Sequence, residues 1–276
     1  MTTIAAANHF TANIHGVNIH YELYNQRSNQ PFIVLIHGFL SSTFSYRRLI
    51  PYLMNDFSVL ALDLPPFGKS EKSIRFQYTY KNLATLVIEL LARLQIRSCI
   101  LVGHSMGGQI SLNIAKQRPD LVQQMILLCS SGYLKRAQMP LLLSTYIPYF
   151  HLYVKRWLER QGVEKNLLNV IYDHSLIDEE MCKGYEQPFY DEQIFKALAR
   201  LIRHREGDLS SEELKKIKTP SLLVWGEEDK VVPIHIGKRL HQDLPNSQFI
   251  SFPKTGHLLP EEKPSHVYEQ ILRFIH

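Results

Sequence analysis

Cysteine is scarce in this chain: three residues in 276, Cys99, Cys129 and Cys182, an odd and scattered set. Such a set makes no disulfide framework and has no zinc-ligand spacing, so free thiols in a reducing compartment are expected. No apolar run approaches the ~20 residues that a membrane-spanning helix needs, so stable membrane insertion is not expected. Met1 to Thr11 has neither a charged start nor a long apolar core; no secretion signal is read there, and the cytoplasm is the expected location. A Walker loop is missing, and so is any stripe of Lys and Arg interleaved with aromatics, which leaves nucleic acid an unexpected partner. The formal charge of +5 is mild. No repeat or low-complexity tract occurs. With 45% hydrophobic and 21% charged residues, the chain has the composition of an ordinary globular protein with one large core and room for an insertion.

What the sequence has instead is alternation. Asn13 to Tyr24 suits an antiparallel hairpin turning at Gly16. Strands are expected near 32 to 36, 58 to 62, 98 to 102, 124 to 129, 221 to 225 and 247 to 252. Helical stretches are expected near 44 to 54, 79 to 95, 106 to 118, 234 to 243 and 263 to 275. This pattern predicts an α/β fold: a mostly parallel, doubly wound sheet with helices on both faces.

Gly103-His104-Ser105-Met106-Gly107 is a G-x-S-x-G sequence placed between the strand Cys99-Ile100-Leu101-Val102 and a helix, the context in which that pattern marks a nucleophile. Gly103 and Gly107 would give room for a tight turn with Ser105 at its apex. A serine hydroxyl needs a base, a group that orients the base, and oxyanion donors. Asp229, after the strand Ser221 to Trp225 and ahead of Pro233, is the acid preferred; Glu227 and Glu228 are fallbacks. His257, in a Gly-flanked loop after the strand Gln248 to Phe252, is the base, since it alone of thirteen histidines follows the acid in such a loop. His241, His266 and His276 fall in or after helices. Backbone N–H groups of Met106, at a helix start, and Phe39, after the strand Phe32 to Ile36, are the expected oxyanion donors. Gly38 would let the backbone approach, and His37 is expected to brace the loop.

His37-Gly38-Phe39, the Asp63-Leu64-Pro65-Pro66-Phe67-Gly68-Lys69-Ser70 loop, the Gly103-to-Gly108 turn, Gly226-Glu227-Glu228-Asp229 and Gly256-His257 together resemble the α/β-hydrolase superfamily. The esterase and C-C-bond hydrolase branch is the most similar. The likeness runs from about Ile33 to the C-terminus apart from the middle segment. Pro66 stands where the family often has glycine. Leu258 and His104 stand where C-C hydrolases that act on ring-cleavage products typically have tryptophan and asparagine. A nucleophilic serine also separates the chain from relatives that attack through an aspartate.

After Ser130-Ser131-Gly132 roughly eighty residues pass before the next strand, too many for a plain loop. Residues 132–210 are therefore expected to form a helical cap inserted between two core segments, 1–131 and 211–276. Phe39, Tyr149, Phe150, Trp157 and Leu258 are the candidate pocket residues. The first half of the insert is basic, with Lys135, Arg136, Lys155, Arg156, Arg160 and Lys165 against Glu159 and Glu164. A basic aromatic helix can lie on a membrane surface, but the stretch from Asp173 to Glu186 is acidic, and charge pairing within the insert or a solvated face is the expectation. Taken together, these features predict a serine hydrolase of a small hydrophobic carboxylic ester, working through an acyl-enzyme without metal or organic cofactor. C-C-bond hydrolysis of a vinylogous diketone and slow-turnover sensing of a small molecule are the alternatives.

Overall fold

The computed structural model describes residues 7–27 and 30–275. Met1 to Ala6, part of the stretch read for a secretion signal, and His276 lie outside them. Eight strands, β1 (Asn8–Ile14), β2 (Val17–Tyr24), β3 (Phe32–Ile36), β4 (Ser58–Leu62), β5 (Cys99–His104), β6 (Val122–Leu128), β7 (Ser221–Gly226) and β8 (Ser247–Phe252), form one sheet in the order β1-β2-β4-β3-β5-β6-β7-β8. β2 is antiparallel to both neighbours, and all pairs from β4 to β8 are parallel.

The hairpin closes through two residues, His15 and Gly16, both at positive φ (50° and 79°). This is the type I′ signature, whose twist matches that of the flanking strands. β1 begins five residues before the expected alternation, at Asn8. Its outer residues are exposed on both faces, so no period-two pattern announces them. The central strands β4 and β5 are buried along their whole length, as strands covered on both faces must be.

Helices Tyr80–Arg93 and Met106–Gln117 pack on each other, whereas Pro264–Ile275 packs against Ile50–Leu53. The first is capped by Thr79, whose hydroxyl accepts the Asn82 N–H at 3.0 Å. The single helix expected near 44 to 54 is two short turns, Thr43–Tyr46 and Ile50–Leu53. Pro51 is the reason: lacking an N–H, it begins a helix and cannot continue one.

The chain reverses direction across the sheet between β3 and β5, so the loops after β3 and β5 diverge at one rim. In open α/β sheets that crevice is where ligands bind. Between β6 and β7 come helices Met139–Ser144, Phe150–Gln161, Val163–Val170, Glu179–Glu186 and Gln193–His204. The segment leaves and returns through one neck, where Lys135 bridges Gly207. There Asp208 accepts from the Ser131 hydroxyl at 2.6 Å and from the Leu134 N–H at 3.0 Å. Ile194, Phe195 and Leu198 of the last helix join the main core. Leu167, Ile171 and Met181 make a small core of their own with Leu258.

Candidate active site

Ser105 sits between β5 and the next helix with φ 53° and ψ −118°. An L-residue holds that conformation only at a cost of ~1–3 kcal/mol, which surrounding contacts must offset. They do so through the backbone: Ser105 N–H donates to Leu128 O, and Ser105 O accepts from Ser131 N–H, each at 3.0 Å. Gly107 is required by close approach, since a Cβ there would stand 2.0 Å from Ile36 O. Gly38 is packed closely but less severely, since a Cβ there would lie 3.1 Å from Ser105 Cβ. The loop after β3 thus rests directly against the serine.

Asp229 and His257 are brought together from the ends of β7 and β8: His257 Nδ1 lies 2.7 Å from Asp229 Oδ2. Both are buried. The other carboxylate oxygen, Oδ1, accepts the N–H groups of Val231 and Val232 at 2.8 Å each. Burial raises the Asp229 carboxyl, but the hydrogen bond and charge of His257 and the backbone donors outweigh it, and the net shift is downward. An ionised Asp229 calls for Nδ1 of His257 to carry its proton, leaving Nε2 as acceptor. The fallback acids are engaged elsewhere, Glu227 with the Ser251 hydroxyl and Glu228 with the Thr255 N–H.

His37 has both ring nitrogens occupied. Nδ1 meets Gly38 O at 2.7 Å and Nε2 accepts the Leu64 N–H at 2.8 Å. Burial depresses its basicity, so it braces the loop as a neutral ring. Met106 is the first residue of its helix, where an N–H has no acceptor within the helix. Its side chain is buried in the core.

Three groups that hold His257 were not anticipated from the sequence. His104 Nε2 lies 2.8 Å from His257 O and donates to it. Burial, and then the neighbouring His257, push His104 down to about 3, so it stays neutral. Val170 O, from the insert, accepts the His257 N–H at 2.7 Å. Glu262 accepts the Gly256 N–H through Oε1 at 2.9 Å, and through Oε2 those of Tyr172 and Asp173 at 2.9 and 3.3 Å. The loop that carries His257 and the insert therefore share one carboxylate. Only the position of His104 beside Ser105 could have signalled any of this; the partners of Glu262 lie up to ninety residues away.

Ser105 and His257 line one cavity of about 280 Å³. Of the five candidate pocket residues, Phe39, Trp157 and Leu258 face it. Tyr149 and Phe150 do not, which corrects their assignment. The helix Phe150–Gln161 presents its far end, Trp157, Leu158 and Gln161, to the cavity. At ~1.5 Å per residue its first turn is ~10 Å away; Tyr149 is 73% exposed and Phe150 packs toward the core. Val163, Val170, Tyr185 and Val231 add apolar wall, and no Lys, Arg, Asp or Glu is among the lining residues.

Two clusters among the described residues bring metal-ligand atoms together: His9, His20 and Glu22, and Cys129, Asp229 and His257. In the first, Glu22 is already satisfied by Tyr24 and Thr43 as well as by the two imidazoles. In the second, a metal would have to displace the proton between His257 and Asp229, so neither fits a resident cofactor.

Residues 31–264 match the family model described as alpha/beta hydrolase fold. Over 275 residues, the whole of both chains, the sequence is 58% identical to the uncharacterized hydrolase YugF of Bacillus subtilis (strain 168). It is 30% identical over 218 residues to the 2-hydroxy-6-oxo-6-phenylhexa-2,4-dienoate hydrolase of Burkholderia cepacia, covering 77% of this chain and 74% of that one. A serine hydrolase involved in carbazole degradation shares the fold, with a TM-score of 0.79 at 22% identity over 98% of this chain and 99% of that one.

Proposed function

The chain belongs to the α/β-hydrolase family, and on that premise we propose that it is a serine hydrolase of small, uncharged, hydrophobic carboxylic esters. The observation that carries the reading is the His257 to Asp229 contact of 2.7 Å beside a serine held at the apex of a strand-to-helix turn. Ser105 attacks the ester carbonyl while His257 Nε2 takes its proton, and Asp229 stabilises the imidazolium that forms. The N–H groups of Phe39 and Met106 receive the oxyanion. His257 then returns the proton to the departing alcohol and activates the water that releases the acid from the acyl-enzyme. Residues 132–210, acting as a cap, supply Trp157, Val163 and Val170 to the acyl or alcohol side and no reacting group. The unpaired thiols suit a reducing compartment, and we place the protein in the cytoplasm.

The relative from Burkholderia cepacia favours a second reading, C-C hydrolysis of a dienoate. Such a substrate carries a carboxylate, and a cavity with no cationic side chain on its wall would bury that charge unpaired at a cost of several kcal/mol. A neutral ester meets no such penalty. A panel of p-nitrophenyl esters beside a dienoate tests the choice: faster turnover of the dienoate would overturn the ester assignment. Wild-type protein should be labelled by a fluorophosphonate, and Ser105→Ala, still folded, should lose both labelling and ester hydrolysis. Persisting label on the variant would place the nucleophile elsewhere.

A further inference from the structure

Ten of the eighteen large apolar side chains exposed among the described residues fall between Leu134 and Trp157. Met139, Leu143, Tyr146, Ile147, Tyr149 and Tyr153 are each more than 60% exposed. The outer side of the helix Phe150–Gln161 makes one such face. At ~100° per residue, Leu152, Arg156, Arg160, Tyr153 and Trp157 occupy one arc of ~140°, and all are exposed. Val154 and Leu158 point the other way, into the core.

The acidic half of the insert does not neutralise this face. Glu180 and Asp178 lie 3.8 and 3.7 Å from Arg47 and Arg48 of the core, and Glu179 pairs with Lys183. On the basic half, Lys155 pairs with Glu159 and Glu192. Among the described residues Lys135, Arg136, Arg156, Arg160 and Lys165 are exposed and have no ion pair. The stretch from Lys135 to Lys165 holds six cations against two anions.

We propose that this face docks peripherally on an anionic lipid surface. Tyrosine and tryptophan with interspersed arginine are what a water-lipid boundary retains, the rings at headgroup level and the guanidinium groups on the phosphates. A second copy of the chain suits the face poorly, because a two-fold contact would set the same excess of cations against itself. Among the described residues no helix is long and apolar enough to cross a membrane, and the attachment proposed is a surface seating. Trp157 is both 52% exposed and part of the cavity wall, and docking would turn the cavity mouth toward the lipid. Vesicle binding does not depend on the serine chemistry, and Ser105→Ala protein should bind as the wild type does.

The test is flotation with vesicles of phosphatidylcholine alone or mixed equally with phosphatidylglycerol, read alongside tryptophan emission. Trp225 is fully buried, so a blue shift reports Trp157. Binding should require phosphatidylglycerol and weaken with salt. Each basic residue near such a surface is worth ~1 kcal/mol, about fivefold, so Arg156→Glu with Arg160→Glu should weaken binding by at least ~30-fold. Turnover of a soluble acetate ester should not change. Leu152→Ser with Tyr153→Ser should weaken binding through lost apolar contact, and serves if the charge-reversed protein does not fold. No preference for anionic vesicles, or equal binding by both variants, would overturn the proposal. So would a dimer in lipid-free buffer that Tyr153→Ser dissolves, since it would give the face to a second copy.

Discussion

Replacing Glu262 by glutamine changes one heavy atom and tests whether the insert and His257, the proposed base, act together. The carboxylate accepts from Gly256 on one oxygen and from Tyr172 and Asp173 on the other, at 2.9, 2.9 and 3.3 Å. An amide has one acceptor, so its NH2 must face either the Gly256 N–H or the pair from the insert. Leaving the N–H of buried Gly256 without a partner costs ~1–3 kcal/mol, whereas the N–H groups of Tyr172 and Asp173 lie on exposed residues and can turn to water. For a chain of this size a loss of about 2 kcal/mol lowers Tm by ~4–8 °C. That loss alone would be merely structural. Because Gly256 precedes His257, whose own N–H is held by Val170 O at 2.7 Å, a slackened loop should also displace the imidazole. A misplacement approaching 1 Å costs up to ~100-fold in rate. Per fluorophosphonate-titrated site, kcat on an acetate ester should fall ~10- to 100-fold while KM rises only a few-fold. The low-field resonance of the His257 Nδ1 proton should shift or broaden, a signature that needs no substrate. A lower Tm with unchanged kcat per site and an unmoved resonance would refute the coupling.

Asp229→Asn should lower kcat by ~10⁴ because the amide favours the wrong tautomer of His257; near-normal rates would hand the role to Glu227 or Glu228. The folded pKa of Asp229 is depressed, so its support for His257 persists below the ordinary carboxylate value and is lost only as pH falls through the lower one. The acid limb of kcat/KM should therefore fit a single proton above about pH 4, and a slope of two there would contradict the assignment. Trp157→Ala should shift acyl-chain preference and KM more than kcat, whereas Tyr149→Ala, outside the cavity, should leave both unchanged. Equal effects from the two would mean the cavity is differently lined in solution.

Some of this was legible because the signal is local. The apolar runs of β3 to β7, the two-residue turn at Gly16 and the glycines around Ser105 each follow from the sterics of a few neighbouring residues. The order of Ser105, Asp229 and His257 along the chain, each after a strand, follows once a parallel sheet puts strand ends on one rim. Tyr149 and Phe150 were misplaced for the complementary reason. Aromatic content says that a segment buries or binds something, but which turn of the helix reaches the cavity depends on how Phe150–Gln161 lies over the core.

The sequence by itself determined the strand and helix alternation and the residues suited to nucleophile, acid and base, because hydrophobic period and backbone sterics act within a few residues. The tertiary structure alone decided which charges meet and which stay in water. Only folding sends Asp178 and Glu180 to Arg47 and Arg48, leaving Arg156 and Arg160 unpaired. Only folding sets Glu262 between Gly256 and Tyr172. Ion pairs and hydrogen bonds depend on distances of a few ångströms between groups that are remote along the chain, and nothing in their order of occurrence encodes those distances.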